Sequence, residues 1–519
     1  MTPAGSTRTS SRAASSTRTS TAASSTTTST SATASSPVLD VEQAEQMPAA
    51  GRAALRAGVV GNWIDNVHVF LPLTALAPAL AVIAGPGVAA STGAVIVIAM
   101  MLGRPLGGMI LGRVSDRLGR TRTTRIAITG TACCALLIAA VPTHEILGAG
   151  TIAVILVLRF LGGIFVAGEY SAAIPLAMEW SRPKRRGLMS GLILSMAPWA
   201  QGSIAFATAG LLVGLGPQRY AAWGWRLMFV VGALCSLGML IYYRYRVVDA
   251  PVLHRQAASP AHTAHSGTAQ ASSTHPADSR TPQTGPAADR PVAGVREVLV
   301  GRWAPAFWQV FTLMSGLWLL TNAVVIMLTA RLSTDAGLPA TGVSVAMGVA
   351  SVAQAILMAV AGHLSTLTGR RNLLVVWGAV AALAGPGLWW ATVNSHTLGR
   401  AAILAAVLQV ITVSAYGPVS AYLSERFPSE VRSTGYGMGY SLSLIVPALY
   451  PFYLPTLERA VGSHSAIMGL VALGGILVVI GALCGPRLGP SDIDAGIDEV
   501  AHASTRRRAL RVPTSAGSR

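Results

Sequence analysis

Gly112-Arg-Val-Ser-Asp116-Arg-Leu-Gly119-Arg120 closes one long apolar run of this chain, and Gly362-His-Leu-Ser-Thr-Leu-Thr-Gly369-Arg370 closes another, 250 positions further on. A second pair of matches keeps nearly the same interval: Glu179 and Arg186 recur as Glu425 and Arg432, each 246 residues later. Two matches at almost one offset mark an internal duplication, in which the order of elements repeats as well. Within the first stretch, Gly112 and Gly119 permit sharp turns, so a tight loop is expected with one acid among several bases. Asp116 would then sit at a helix amino terminus and latch the two halves together. The alternative is a plain topology signal made of arginines.

The apolar runs around these stretches decide the fold class. Of 519 residues, 52% are hydrophobic and 11% charged, with mean hydropathy +0.54, whereas soluble domains carry about 25% charged residues. Runs of about 20 apolar residues, the length that crosses a bilayer, recur from Arg56 to Cys484. The predicted spans are 57–81, 90–111, 124–142, 149–179, 187–214, 223–244, 304–331, 341–362, 372–392, 398–424, 434–456 and 464–484. Setting the polar blocks aside leaves on the order of 380 residues, about 31 per helix with its loop, which suits twelve crossings. The expected fold is an all-α membrane protein of twelve transmembrane helices in two six-helix halves, 51–246 and 301–485.

Three polar blocks surround those halves. Residues 1–50 are rich in Ser, Thr, Ala and Arg, without an acid before Asp40 or the apolar core of a signal peptide, and are expected to be a disordered tail. Such a start imitates an organellar transit peptide but lacks an evident amphipathic helix. Residues 247–300 read as a flexible loop and 486–519 as a disordered basic tail, both cytoplasmic. With a cytoplasmic amino terminus, the basic clusters Arg113–Arg125, Arg182–Arg186, Arg244–Arg302 and Arg370–Arg371 and the tail fall on one side of the membrane. That obeys the positive-inside rule for a multi-pass protein of the inner, or plasma, membrane with both termini cytoplasmic. The net charge of +18 is therefore topological, and no nucleic-acid stripe exists. Cys133, Cys134, Cys235 and Cys484 have neither metal nor disulfide spacing and are expected to be buried packing residues. No nucleophile with a base and no phosphate-binding loop assembles in any motif, so no enzyme and no cofactor are expected.

The stretch Gly112-x-x-Ser115-Asp116-Arg117-x-Gly119-Arg120 resembles the signature loop of the major facilitator superfamily. Its second copy lacks the acid, since Thr366 stands in the place of Asp116. Within that superfamily the chain is similar to the metabolite:proton symporter family. The residues that carry the resemblance are Gly61-Asn62, Arg104-Pro-Leu-Gly-Gly108, Gly168-Glu169-Tyr170, Arg185-Arg186-Gly187, Trp223-Gly-Trp-Arg226 and Glu425-Arg-Phe-Pro428. The family's first span usually has a Glu-Trp-aromatic-Asp element; here the run is Asp65-Asn-Val-His68. The resemblance implies a secondary transporter that takes up a small organic metabolite, a carboxylate or an osmolyte, with protons. The alternatives are a proton-driven efflux carrier, or a membrane sensor or scaffold built on a transporter fold. The implied partners are the small solute, protons and the lipid bilayer.

Asp65 and His68 lie three apart on a helix and share a face. An ionisable group there costs roughly 2.5–3.5 kcal/mol for Asp at a helix centre and faces a cavity or a partner. As a proton site the pair would exchange protons near neutrality, where histidine titrates; as a fixed pair it would only hold helices together. Arg159, Glu169 and Glu179 follow at intervals of ten on the fourth span, about 15 Å apart in depth. Glu169, near mid-membrane, is a second proton or substrate candidate, with a structural partner as the alternative. Arg159 is an anion-binding charge or a structural or gating group. Glu179, beside Arg182–Arg186, and Glu425, beside Arg426 and Arg432, are expected to form interfacial ion pairs that open with a gate. Arg104, Arg117 and Arg120 join Asp116 as gating or structural groups. Candidate cavity residues are Asn62, Tyr170, Gln201, Asn322, Gln409 and Tyr416, with Trp199 and Trp318 as walls. Gly162, Gly163 and Gly168 are expected at close helix contacts, and Pro175, Pro198 and Pro447 at bends.

Overall fold

A backbone inside an apolar layer must satisfy its own N–H and C=O groups, and a helix does so within one segment. The computed structural model describes residues 47–85, 89–251, 294–488, 492 and 495–502, and is built of such helices. The predicted tail up to residue 46, the loop from 252 to 293 and the tail from 503 lie outside the described residues. The first half contains α1 (Ala49–Thr74), α2 (Ala89–Leu118), α3 (Arg120–Ala140), α4 (Gly150–Trp180), α5 (Pro183–Arg219) and α6 (Trp225–Arg246). In the second half, α7 (Ala304–Thr321) runs on through a π-helical turn, Asn322–Met327. There follow α8 (Ala340–Thr368), α9 (Arg370–Val393), α10 (Leu398–Thr412, resumed as Val419–Arg426), α11 (Arg432–Leu442, resumed as Ile445–Ala448 and Tyr450–Val461) and α12 (Ser463–Leu483).

Ten described segments are long and apolar enough to cross a membrane unaided. Two facts raise the number of crossings to twelve. The segment Pro183–Arg246 spans 64 residues and reverses at Gly216, whose φ of 78° only glycine adopts freely, so it contains both α5 and α6. The eleventh crossing is cut into three short pieces around Pro447, a residue that cannot donate to the helix ladder. Pro175 and Pro198, also expected at bends, lie inside helices that continue past them, the second as far as Gly216.

Helix ends differ from the predicted spans mainly at the arginine-bearing end. There α2 continues to Leu118 rather than 111, α3 begins at Arg120 rather than 124, and α5 at Pro183 rather than 187. Hydropathy marks the hydrocarbon slab of about 30 Å, whereas the helices continue through the polar interface to about 40–45 Å. The predicted loop at 112–119 is therefore the last two turns of α2. Only Gly119, with φ of 92°, makes a turn. Gly112 is helical, and a Cβ on it would lie 2.9 Å from the Cα of Thr434.

The halves meet along two seams, α2 against α11 and α5 against α8. Glycines bring the backbones together. A Cβ on Gly108 would stand 2.6 Å from the Gly437 carbonyl, and one on Gly187 2.3 Å from that of Gly362. Toward the other end the α5–α8 seam parts. Gly202 lies three turns beyond Gly191 on the same face of α5, and Gly348 three turns before Ala359 on α8, yet neither has any atom within 4 Å of a built Cβ. Both seams are closed at the end bearing the arginines, and toward the other end the α5–α8 seam is open.

Two expectations about the polar parts need correction. Within the basic tail, 495–502 is packed onto the bundle, with Ile497, Val500 and Ala501 buried. Of the four cysteines only Cys134 is buried; Cys235 is half-buried, and Cys133 and Cys484 are exposed.

Candidate functional site

Inside the first half, α4 presents Glu169 and Tyr170 in two directions, about 100° apart as consecutive helical residues. Glu169 turns inward to α1, where its carboxyl lies within hydrogen-bonding reach of the Asp65 carboxyl, and Thr131 of α3 donates to its Oε1 at 3.3 Å. Both acids are buried, and Asp65 Oδ1 has no donor. One proton between the two groups would join them. His68 does not meet Asp65: its Nε2 is 2.8 Å from the Ser236 hydroxyl of α6. Asp65 and His68 lie three apart on α1, yet Asp65 meets α4 and His68 meets α6.

Tyr170 turns to the seam between the halves. Asn66 donates to Asn62 O at 2.7 Å and to the Tyr170 hydroxyl at 2.9 Å, and Asn62 donates to Ile193 O on α5 at 2.6 Å. The Tyr170 ring stacks on Tyr440 of α11, centroids 5.0 Å apart. Above these rings stands Arg104 of α2, its guanidinium carbon 4.8 Å from the Tyr170 centroid, 5.5 Å from Trp318 and 5.6 Å from Tyr440. Arg104 is buried, and its Nε and Nη2 have no hydrogen-bond partner. Buried guanidinium N–H groups without acceptors are costly, and a carboxylate would satisfy two at once. Tyr416 packs against Trp318, with its hydroxyl unpartnered. Nearby, Gln409 donates to Val324 O at 3.4 Å, while Gln409 Oε1 and Asn322 Nδ2 lack partners. The structure thus brings Asn62, Tyr170 and Tyr416 to one locus with Arg104, and Asn322 and Gln409 to the α7–α10 contact behind it. Gln201 is half-buried on α5, and Trp199 is exposed.

At the closed end the repeated charges exchange partners across the seam. Glu179 of the first half pairs with Arg432 of the second at 2.6 Å, and Glu425 of the second with Arg186 of the first at 3.3 Å. Each acid also has an arginine of its own half: Arg120 for Glu179 at 2.7 Å and Arg370 for Glu425 at 2.5 Å. Sequence proximity had suggested Arg182–Arg186 for Glu179 and Arg426 with Arg432 for Glu425. Asp116 sits at a helix amino terminus across the seam, that of α11, accepting from Ser433 N at 3.0 Å, Thr434 N at 2.8 Å and Thr434 Oγ1 at 2.7 Å. In the second copy, the Thr366 hydroxyl is buried without a partner. Arg117 is exposed and Arg120 fully buried.

Three participants escaped the sequence reading. Asp498 reaches Arg432 at 2.5 Å and accepts from Ser429 N and Oγ, both at 3.0 Å. Burial alone would raise its carboxyl, but Arg432 and the Ser429 bonds hold it below the ordinary range. Asp249 accepts from Thr121 N at 2.8 Å and Oγ1 at 2.7 Å, capping α3. Tyr440 completes the Arg104 cage; its spacing of four from Tyr436 was the available signal, since such residues share a helix face.

Known proteins share this architecture and sequence pattern. The family model of the Major Facilitator Superfamily matches residues 67–451. The glycine betaine/proline/ectoine/pipecolic acid transporter OusA of Dickeya dadantii is 25% identical, covering 84% of this chain and 82% of that protein. The alpha-ketoglutarate permease of Escherichia coli is 23% identical, covering 74% and 82% respectively. Among solved structures, the proton:xylose symporter XylE superposes with TM-score 0.66 at 15% identity, over 88% of this chain and 99% of that one.

Proposed function

Since this chain belongs to the Major Facilitator Superfamily, we propose that it takes up a small carboxylate-bearing metabolite together with a proton, by alternating exposure of the Arg104 cage. The observation that carries the reading is the pairing of two unmet demands on adjacent residues of α4. Glu169 faces Asp65, where a proton fits, and Tyr170 faces Arg104, where an anionic group fits. The solutes named for the relatives OusA and the alpha-ketoglutarate permease have a carboxylate in common. In a zwitterion the cation would rest on the aromatic ring of Tyr416, which Arg104 leaves uncovered.

Binding and coupling connect through Asn66, which joins the Tyr170 hydroxyl to α1, one residue beyond Asp65. A carboxylate on Arg104 places negative charge near the acid pair and favours its protonated form. Protonated acids inside the first half and a neutralised arginine at the seam together remove buried charge, and the closed end then opens. The buried pairs Glu179–Arg432 and Glu425–Arg186 must break in that step, and the α2–α11 and α5–α8 backbones must separate. We place the arginine-bearing end in the cytoplasm by the charge bias of its loops, in the bacterial inner membrane.

Proteoliposomes holding the purified protein test the proposal. Pooled zwitterions and carboxylates are added, and external pH is followed for the wild type, Asp65→Asn, His68→Ala and Glu169→Gln. Substrate-dependent alkalinisation that Asp65→Asn and Glu169→Gln abolish, with exchange of bound substrate retained, is the expected result. Solute movement without protons in the wild type overturns the coupling, and loss in His68→Ala alone moves the proton site to the His68–Ser236 contact.

A further inference from the structure

Tyr243 of α6 is buried, and its hydroxyl has no hydrogen-bond partner among the described residues. A phenylalanine would fill the same space without that cost, so packing does not account for the oxygen. Its place on α6 does. Ser236, Met239 and Tyr243 follow at helical steps on one face, and Ser236 meets His68 of α1. Tyr243 is seven residues, about 10 Å, nearer the arginine-bearing end than Ser236, and Asp65 is three residues, about 5 Å, nearer that end than His68. Helical side chains lean toward the amino terminus of their helix, so the Tyr243 ring leans back toward the level of the acids. Its packing agrees. Ile64, Ala173 and Ile128 share its buried cluster, the first beside Asp65, the others one turn from Glu169 and Thr124.

Beyond Tyr243 the polar groups belong to α3 and to the segment after α6. Thr124 is buried and donates to Arg120 O at 2.9 Å, and its oxygen can still accept. One turn nearer the arginine-bearing end, Thr121 N and Oγ1 donate to Asp249, which is half-buried. The groups that act on the Tyr243 hydroxyl are Glu169, Asp65, Thr124 and Asp249, so the phenol stands between the acid pair and the start of α3. In the opposite direction stands Arg159, buried and donating to His68 O at 2.8 Å and Val69 O at 3.3 Å. Its positive charge repels a proton.

We propose that Tyr243 relays the coupled proton from the Asp65–Glu169 pair toward Asp249, along the α3–α6 contact, so that proton and solute leave by different routes. The proposal rests on the acid pair being the proton site. A phenol accepts a proton on its oxygen while giving up its own. Glu169 becomes a carboxylate as Tyr243 takes its proton, and the phenol's own proton passes to Thr124, whose hydroxyl turns from Arg120 O to hand one on. Both hydroxyls end as they began, and Asp249 carries the proton to the aqueous face.

The test compares two measurements in proteoliposomes, with glycine betaine or alpha-ketoglutarate as the probe solute. Net uptake driven by a pH gradient needs the proton released in every cycle, whereas equilibrium exchange of the solute does not. Tyr243→Phe removes one oxygen and keeps the ring. It should slow net uptake about 10- to 100-fold, with exchange, its KM and the melting temperature as in the wild type; Thr124→Val should slow net uptake in the same selective way. Net uptake at the wild-type rate in Tyr243→Phe overturns the relay. So does equal slowing of uptake and exchange, which would make the hydroxyl structural. Either result leaves the acid pair in place as long as Asp65→Asn and Glu169→Gln abolish net uptake. If those two variants retain it, or no probe enters the wild type with a proton, the proton site itself falls and the relay with it.

Discussion

Arg104 combines a fixed charge, two unpartnered nitrogens and three aromatic faces. Lysine keeps the charge but loses the planar fork. With hydrogen bonds to a charged group worth about 1.5–3 kcal/mol, Arg104→Lys is expected to raise the KM for uptake about 10- to 100-fold, with a much smaller change in maximal rate. A KM within twofold of wild type would remove Arg104 from the site. Asp65 and Glu169 were legible in the sequence because an acid in an apolar span is conspicuous. Their contact was not, since residues 104 positions apart on separate helices leave no periodic trace. Arg104 was visible only as part of the resemblance at the end of the second span and as a gating or structural group, and nothing local placed Trp318 or Tyr440 beside it.

The order and number of helices followed from hydropathy, while their ends did not, because α2 and α5 continue into the polar interface where arginines lower the average. Close helix pairs rest on missing side chains: a Cβ on Gly163 would lie 2.1 Å from the Met100 carbonyl, and one on Gly107 2.1 Å from that of Ile164. Gly163→Ala is expected to cost about 1–3 kcal/mol by overpacking, read as a lower melting temperature in detergent; an unchanged value would mean that α2 and α4 stand further apart. The tail segment 495–502 depends on Asp498, whose folded carboxyl titrates below its unfolded value. Its clasp is thus complete above the unfolded pKa of about 3.9 and is lost as pH falls through the lower folded one. Protease cleavage within 495–502 should be slow at pH 7 in the wild type and fast in Asp498→Asn; equal rates would mean that apolar contacts alone hold the segment.

The open and closed ends of the whole molecule can be told apart chemically. In a background with native cysteines replaced, Gly202→Cys and Gly348→Cys should react with a soluble maleimide, while Ser190→Cys, buried against the Gly417 carbonyl at 2.7 Å, should not. Transported substrate should slow the first two and speed the third, and uniform labelling would contradict a single open end. The sequence sets the two copies apart, Thr366 standing in the place of Asp116, and in the structure one seam has Asp116 on the α11 amino terminus and the other a Thr366 hydroxyl without a partner. The exchanged charges also impose an order on synthesis. Asp116, Arg120 and Glu179 leave the ribosome as two acids around one base, and the arginine that completes them, Arg432, is translated some 250 residues after Glu179. Until then Glu179 has only Arg120 of its own half, and Asp116 has no α11 amino terminus to accept from. A chain stopped short of residue 432 leaves Asp116 and Glu179 without the partners that the second half supplies.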